Sequence, residues 1–213
     1  MPLLPLIWII SILFGGLPIL LASRKFRKLI KNLFSDPKKN KLGILGMPMS
    51  GKTLFLSHLR KVPYVQKGTG YNEKYDSFIF KTSSGKEIHI DSGFDIAGND
   101  DVRSEYTSIM DNSDVIFYFF DISLYFTDIN YRRNCNSRLL YLHNYFEKNK
   151  EKELVLFASH IDKCEMDRSK IITNFRKQIK DKSYKDLLGN TNFINLTDIK
   201  ELTEIIDLIF EKK

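Results

Sequence analysis

Hydrophobic positions change their spacing twice along this chain. From Pro2 to Ala22 they run almost unbroken, from Leu3-Leu4 through Leu6-Ile7-Trp8-Ile9-Ile10 and Ile12-Leu13-Phe14 to Leu17 and Ile19-Leu20-Leu21, with no charged side chain in residues 1–22. About 20 apolar residues at ~1.5 Å per residue cross a ~30 Å hydrocarbon core, so a transmembrane helix is expected. From Ser23 to Phe34 the spacing becomes helical, with Phe26, Leu29, Ile30, Leu33 and Phe34 on one face and Lys and Arg between them. That is an amphipathic basic helix suited to a membrane surface. Ser35-Asp36-Pro37-Lys38-Lys39-Asn40 then reads as a boundary, because Pro37 ends helical structure and the charges cannot be core.

From Lys41 onward apolar runs alternate with helical stripes. Leu42-Gly43-Ile44-Leu45 predicts a strand and Leu54 to Leu59 a helix, followed by an aperiodic loop from Val62 to Tyr71. Tyr75–Lys81 and Glu87–Asp91 predict two strands joined by the turn Ser83-Ser84-Gly85, an antiparallel hairpin. A helix is expected to begin near Asp101. The run Asp114–Asp121 suits a strand buried on both faces. A helix over 138–148, a strand over 153–158, a polar helix over 168–182 and a strand over 193–196 follow. The last helix starts at Asp198, with Leu202, Ile205, Ile206 and Ile209 as its apolar stripe. The expected fold is α/β: a wound, mostly parallel six-stranded sheet with one antiparallel edge hairpin, preceded by a transmembrane helix. Three segments result: an anchor over 1–22, a basic juxtamembrane linker over 23–40, and a domain over 41–213.

Charge reinforces this division. The net charge of +7 is carried by residues 23–41, which hold Arg24, Lys25, Arg27, Lys28, Lys31, Lys38, Lys39 and Lys41 against Asp36; the rest of the chain balances. The basicity is local to a membrane-flanking segment, so nucleic acid is not an expected partner. Positive charge on the C-terminal side of the span predicts a single-pass protein with its C-terminal domain in the cytoplasm. Cys135 and Cys164 have neither metal-ligand spacing nor a disulfide framework.

The chemistry centres on Gly46-Met47-Pro48-Met49-Ser50-Gly51-Lys52-Thr53, between the first strand and the first helix. It fits GxxxxGK(S/T). Glycines at both ends let backbone N–H groups turn inward around a polyphosphate, Lys52 supplies a point charge to the outer phosphates, and the Thr53 hydroxyl can ligate Mg²⁺. The new helix adds the positive end of its dipole.

From Lys41 to its end the chain resembles the small GTPases of the Ras and Arf superfamily, and its layout is similar to that of the signal-recognition-particle receptor β family. The resemblance implies GTP or GDP with Mg²⁺ as ligands. It implies that Thr69, in the loop before the second strand, binds Mg²⁺ and senses the terminal phosphate, acting with Lys52 in any hydrolysis. Asp91 would hold Mg²⁺ at the start of the second switch. Asp95 stands as an alternative, since the family's D-x-x-G spacing fits Asp95 to Gly98 better than Asp91-Ser92-Gly93-Phe94. Neither register supplies the glutamine that commonly orients water; Phe94 or Asn99 falls near that place. The base motif Asn-Lys-x-Asp aligns with Ser159-His160-Ile161-Asp162, with Asp162 accepting from guanine N1–H and its exocyclic amine, His160 covering the ring and Ser159 bonding locally. Leu196 and Thr197 align with the motif that meets the base through backbone groups. The expected function is a membrane-anchored GTP-binding protein, a switch that recruits a protein partner to the bilayer. A non-hydrolysing docking subunit or an ATP-binding accessory protein is the alternative. The stretch from Asp121 to Cys135 is a candidate partner surface.

Overall fold

The structure is a computed structural model that describes residues 39–64, 73–81, 85, 87–90, 92–95 and 102–210. The expected membrane span, nearly all of the juxtamembrane segment, Thr69 and Asp91 lie outside the described residues. Within them, no helix is long and apolar enough to cross a membrane.

The elements run β1 (Lys41–Gly46), α1 (Lys52–Arg60), β2 (Glu73–Tyr75), β3 (Phe78–Lys81), β4 (Glu87–Ile90), β5 (Gly93–Asp95), α2 (Val102–Asn112), β6 (Val115–Asp121), α3 (Ile122–Thr127), α4 (Ile129–Lys148), β7 (Glu153–Ser159), α5 (Arg168–Ile179), β8 (Thr191–Phe193) and α6 (Ile199–Phe210). Short 3-10 turns cover Ile161–Lys163 and Ser183–Asn190. One six-stranded sheet has the order β3-β4-β1-β6-β7-β8, antiparallel at β3–β4 and parallel elsewhere. The expected six strands and edge hairpin are both present.

Both faces of the sheet are covered, which explains why β6 is apolar without alternation. Phe117, Phe119 and Phe157 point to one side, where Phe55 of α1 and Leu202, Ile205 and Ile209 of α6 close over them. The Phe119 and Phe157 rings stack at 4.7 Å between centroids. Tyr118, Phe120 and Leu156 point to the other, against Tyr106 and Met110 of α2, Leu139 and Leu142 of α4, and Ile171 and Phe175 of α5. Successive side chains of β6 thus serve opposite cores.

The structure corrects four boundaries. The strand expected over 75–81 is two strands: β2 leaves the main sheet to pair with β5 in a separate antiparallel ribbon, and only β3 joins the edge. Arg60 fixes the break, donating from Nη2 to Asp76 O at 2.8 Å while its guanidinium lies 4.6 Å over the Phe78 ring. The stretch over 121–135, expected to link strand to helix, is itself helical. Asp121 caps α3 by accepting from the Ser123 and Leu124 N–H groups, and Asp128 caps α4 by accepting from Asn130 and Tyr131. α5 ends at Ile179 rather than running on to Lys182. The last strand ends at Phe193, because Asn195 Oδ1 bends the following backbone into an Asx turn by accepting from Thr197 N–H at 2.9 Å.

At the end of the sheet where the parallel strands begin, Lys152 secures the end of α2. Its ammonium donates to Met110 O at 2.9 Å, Asp111 O at 3.0 Å and Ser113 O at 2.7 Å, taking carbonyls left over at that helix end. Lys152→Met keeps the aliphatic stem and removes these bonds, so it is expected to lower unfolding stability by ~2 kcal/mol. Urea denaturation checks this, and a variant as stable as wild type would show that water serves those carbonyls equally well.

Candidate nucleotide-binding site

The phosphate loop is built on two close backbone approaches. At Gly46 the end of β1 presses on β6, so that a Cβ there would stand 2.3 Å from Phe119 O, and Met47 N–H donates to that same oxygen at 2.8 Å. At Gly51 the backbone turns into α1 with φ 85°, a left-handed conformation that favours glycine. Met49 also has positive φ, at 55°, on the exposed rim of the loop.

Between these ends the side chains tie the loop to itself. Ser50 Oγ donates to Met47 O at 2.7 Å. Lys52, only 2% exposed, donates from Nζ to Met47 O at 2.7 Å and to Gly46 O at 3.5 Å. Its ammonium therefore lies across the loop that Met47 to Gly51 encloses. No side chain caps the start of α1 and its first turn carries no acidic residue. An uncapped helix start beside a lysine ammonium is an arrangement that favours an anion. Thr53, the second residue of α1, is half-buried beside it, and its hydroxyl is the donor set's hard oxygen, the type Mg²⁺ prefers.

The predicted base motif comes to this loop from β7. Ser159 is fully buried with Oγ 2.9 Å from Ser50 O and 3.0 Å from Phe120 O, so the hydroxyl that stands where the family has asparagine fastens the base loop to the phosphate loop. His160 has φ 59° and turns the chain outward; its Nδ1 lies 3.0 Å from Ser159 Oγ and 3.5 Å from Asp121 Oδ2. Burial lowers the imidazole pKa, which favours the neutral ring, and the Asp121 carboxylate opposes that shift. Asp162 follows on the 3-10 turn with its carboxylate exposed.

Leu196 completes the junction. A Cβ added to Gly51 would meet Leu196 Cδ1 at 2.3 Å and His160 Cε1 at 3.8 Å, so three sequence motifs converge on one glycine. Thr197 donates from both its N–H and its Oγ1 to Asn195 Oδ1, at 2.9 and 2.7 Å, and Leu196 faces the loop with its side chain. Beneath them Glu201 pairs with Arg168 and accepts from Asn195 N–H at 3.4 Å. Sequence reasoning missed this ion pair, along with Asp121 beside His160 and the contacts of Tyr106 and Arg138 with the loop. None has a motif spacing; only Asp121, as a carboxylate at the end of a buried strand, carried a visible signal.

β4 is parallel to β1, pairs Ile90 with Leu42, and stops at Ile90, so Asp91 is the next residue of the chain. Asp95 instead ends β5, in the two-stranded ribbon.

No curated protein matches the sequence. Among solved structures, the Arl6 BBS3 small GTPase from Trypanosoma brucei with bound nucleotide analogue GppNp is 16% identical, with a TM-score of 0.52 over 80% of this chain and 95% of that one. The crystal structure of a mutation variant of SsGBP is also 16% identical, with a TM-score of 0.53, covering 87% of this chain and 61% of that one. At such identity these likenesses show the fold. The profile of the ADP-ribosylation factor family matches residues 26–207, and over that span, which holds the phosphate loop and the wound sheet, the chain belongs to this family.

Proposed function

We propose that this protein is a membrane-anchored GTP-binding switch whose domain lies in the cytoplasm and recruits a protein partner to the bilayer. The observation that carries the nucleotide reading is the convergence at Gly51, where the phosphate loop, His160 and Leu196 meet within van der Waals distance of one position. Phosphates would take the N–H groups of the loop and the start of α1, together with the Lys52 ammonium. Asp162, exposed past His160, would accept two hydrogen bonds from guanine, a pattern adenine cannot offer.

Thr53, with Thr69 and Asp91, would hold Mg²⁺, which when bound supplies charge neutralisation to the outer phosphates. Lys52 would hold the terminal phosphate and stabilise charge developing on it. With no glutamine in either register after Asp91 or Asp95, orientation of the attacking water falls to a partner, and turnover by the protein alone is expected to be slow.

The described end of β1 supports one orientation for such an anchor. The chain reaches β1 through Asn40 and Lys41, whose N–H groups both donate to Asp114 Oδ2 at 3.0 Å, and Lys39 pairs with Glu153 at 3.6 Å. This is where the parallel strands begin; the phosphate loop lies at the other end of β1. A span over 1–22 would therefore hold the opposite pole of the domain to the membrane and present the nucleotide to the cytoplasm.

The test is competition binding on the full chain in lipid nanodiscs. GDP and GTP should displace a fluorescent guanine nucleotide while ATP does not. Asp162→Ala should weaken guanine nucleotides about 10²-fold, the loss of two charge-assisted hydrogen bonds. Equal competition by ATP would overturn the base assignment.

A further inference from the structure

A second cation stands behind the phosphate loop, at the carbonyl of Gly46. Arg138, from the middle of α4, donates from Nη1 to Tyr106 Oη at 3.0 Å and reaches Gly46 O at 3.5 Å, with its guanidinium 5.6 Å from the Tyr106 ring centroid. Tyr106, from α2 and 2% exposed, passes its own proton on, donating from Oη to Gly46 O at 2.9 Å. The order of donation is thus Arg138 to Tyr106 to the first carbonyl of the loop, and each bond polarises the next. The peptide that starts the loop is pinned at both ends: its oxygen by Tyr106, Arg138 and Lys52, its N–H by Phe119 O.

The arginine has an unusual set of neighbours. The groups that act on it are Tyr106, Tyr118 and Cys135, all neutral, and no carboxylate pairs with it among the described residues. Burial drives the Tyr106 hydroxyl up to about 12 and the Cys135 thiol well above its ordinary value, so neither becomes a counter-ion. A half-buried guanidinium stays charged, and negative charge nearby would offset its partial desolvation. On this face of the domain, the phosphate loop is where an anion would arrive.

We propose that Arg138 is a positioning residue for the nucleotide: through Tyr106 it braces the Gly46 carbonyl from behind, and its charge adds to that of Lys52 in the field that the bound phosphates neutralise. Arg138 does not touch the ligand, because the loop backbone stands between them. Since Tyr106 belongs to α2, the same bonds tie that helix to the loop. The proposal rests on the nucleotide reading above.

A field effect scales with the charge of the ligand, whereas a mere packing role does not. The experiment measures the affinity of the full chain in nanodiscs for GMP, GDP and GTP, using wild type, Arg138→Gln and Arg138→Lys at low and moderate salt. Arg138→Gln should weaken GTP about tenfold, GDP less and GMP least, with the losses shrinking as salt rises. Arg138→Lys, which keeps the charge, should recover most of the loss. Equal weakening of all three nucleotides, no weakening, or a lysine variant as poor as the glutamine one would each overturn the proposal. Should the glutamine variant not fold, the lysine variant decides alone: affinities within about threefold of wild type for all three ligands are expected of retained charge, and a large uniform loss counts against it. Failure of wild type to bind any of the three would defeat the nucleotide reading instead.

Discussion

Lys52→Ala is expected to abolish nucleotide binding while leaving the domain folded. The Lys52 ammonium is the one side-chain cation inside the loop among the described residues, and it already donates to Met47 O at 2.7 Å. A polyphosphate arriving there finds it desolvated and oriented, the condition under which a charge-assisted hydrogen bond contributes most. Each such bond contributes ~1.5–3 kcal/mol, and one ammonium serving two phosphates accounts for a loss of about 10²–10³-fold in affinity. The fold does not depend on it. α1 packs through Phe55, Leu56 and Leu59, none of which is altered, and alanine is the best helix former at the first helical position. Titration with fluorescent GDP and a thermal melt on the same sample separate the two effects. A variant that binds within threefold of wild type would remove the phosphate assignment, and one that fails to melt cooperatively would show the lysine to be structural.

The phosphate loop was legible because everything it needs is local: two glycines, a lysine and a threonine in eight residues between an apolar run and a helix. The sheet was legible for the same kind of reason, since β1, β6 and β7 are buried on both faces and so read as unbroken apolar runs. What the sequence hid is set by contacts between distant parts of the chain. β2 and β5 are three residues each, and their pairing of Tyr75 with Gly93 leaves no periodicity to detect. β8 reads Thr191-Asn192-Phe193, a polar segment that is nonetheless buried, while the apolar Ile194-Leu196 stretch drew the expected strand onto the turn that follows. α3 and the first half of α4 were obscured because the aromatics between Tyr125 and Tyr131 mask a helical period, although Asp121 and Asp128 were both readable as caps. Tyr106 and Arg138 lie on separate helices and come together only in the fold, bonded to each other beside Gly46, so no spacing could have joined them. The base loop sits between these cases. Its aspartate was readable by position, but the role of Ser159 as a clasp on Ser50 depends on the loop it touches.

The largest expected effect on stability comes from Gly46→Ala. A Cβ at Gly46 would lie 2.3 Å from Phe119 O, 2.8 Å from Phe119 N and 3.0 Å from Phe119 C. Those are backbone atoms of β6, which is paired on both sides, with β1 through Gly46–Phe119 and with β7 through Phe119–Phe157. A side chain in the way can change rotamer; a central strand held by two ladders cannot. The methyl group must push β1 off β6 at its last pair, and with it go the Met47 N–H to Phe119 O bond and the bonds from Tyr106 and Arg138 to Gly46 O. Overpacking at this level costs ~3–4 kcal/mol, a large share of a domain's stability. Gly85 supplies the comparison. It also has positive φ, at 79°, but an added Cβ there meets nothing within 4 Å, so Gly85→Ala carries only the backbone strain of ~1 kcal/mol. Denaturant unfolding of the two variants tests the difference: a Gly46→Ala penalty no larger than that of Gly85→Ala would mean that the loop start is free to move off β6. The expected result has a functional corollary, since the first peptide of the loop is positioned by the middle of the sheet. Nucleotide affinity and the integrity of the β1–β6 pairing should therefore be lost together in Gly46→Ala, but not in Lys52→Ala.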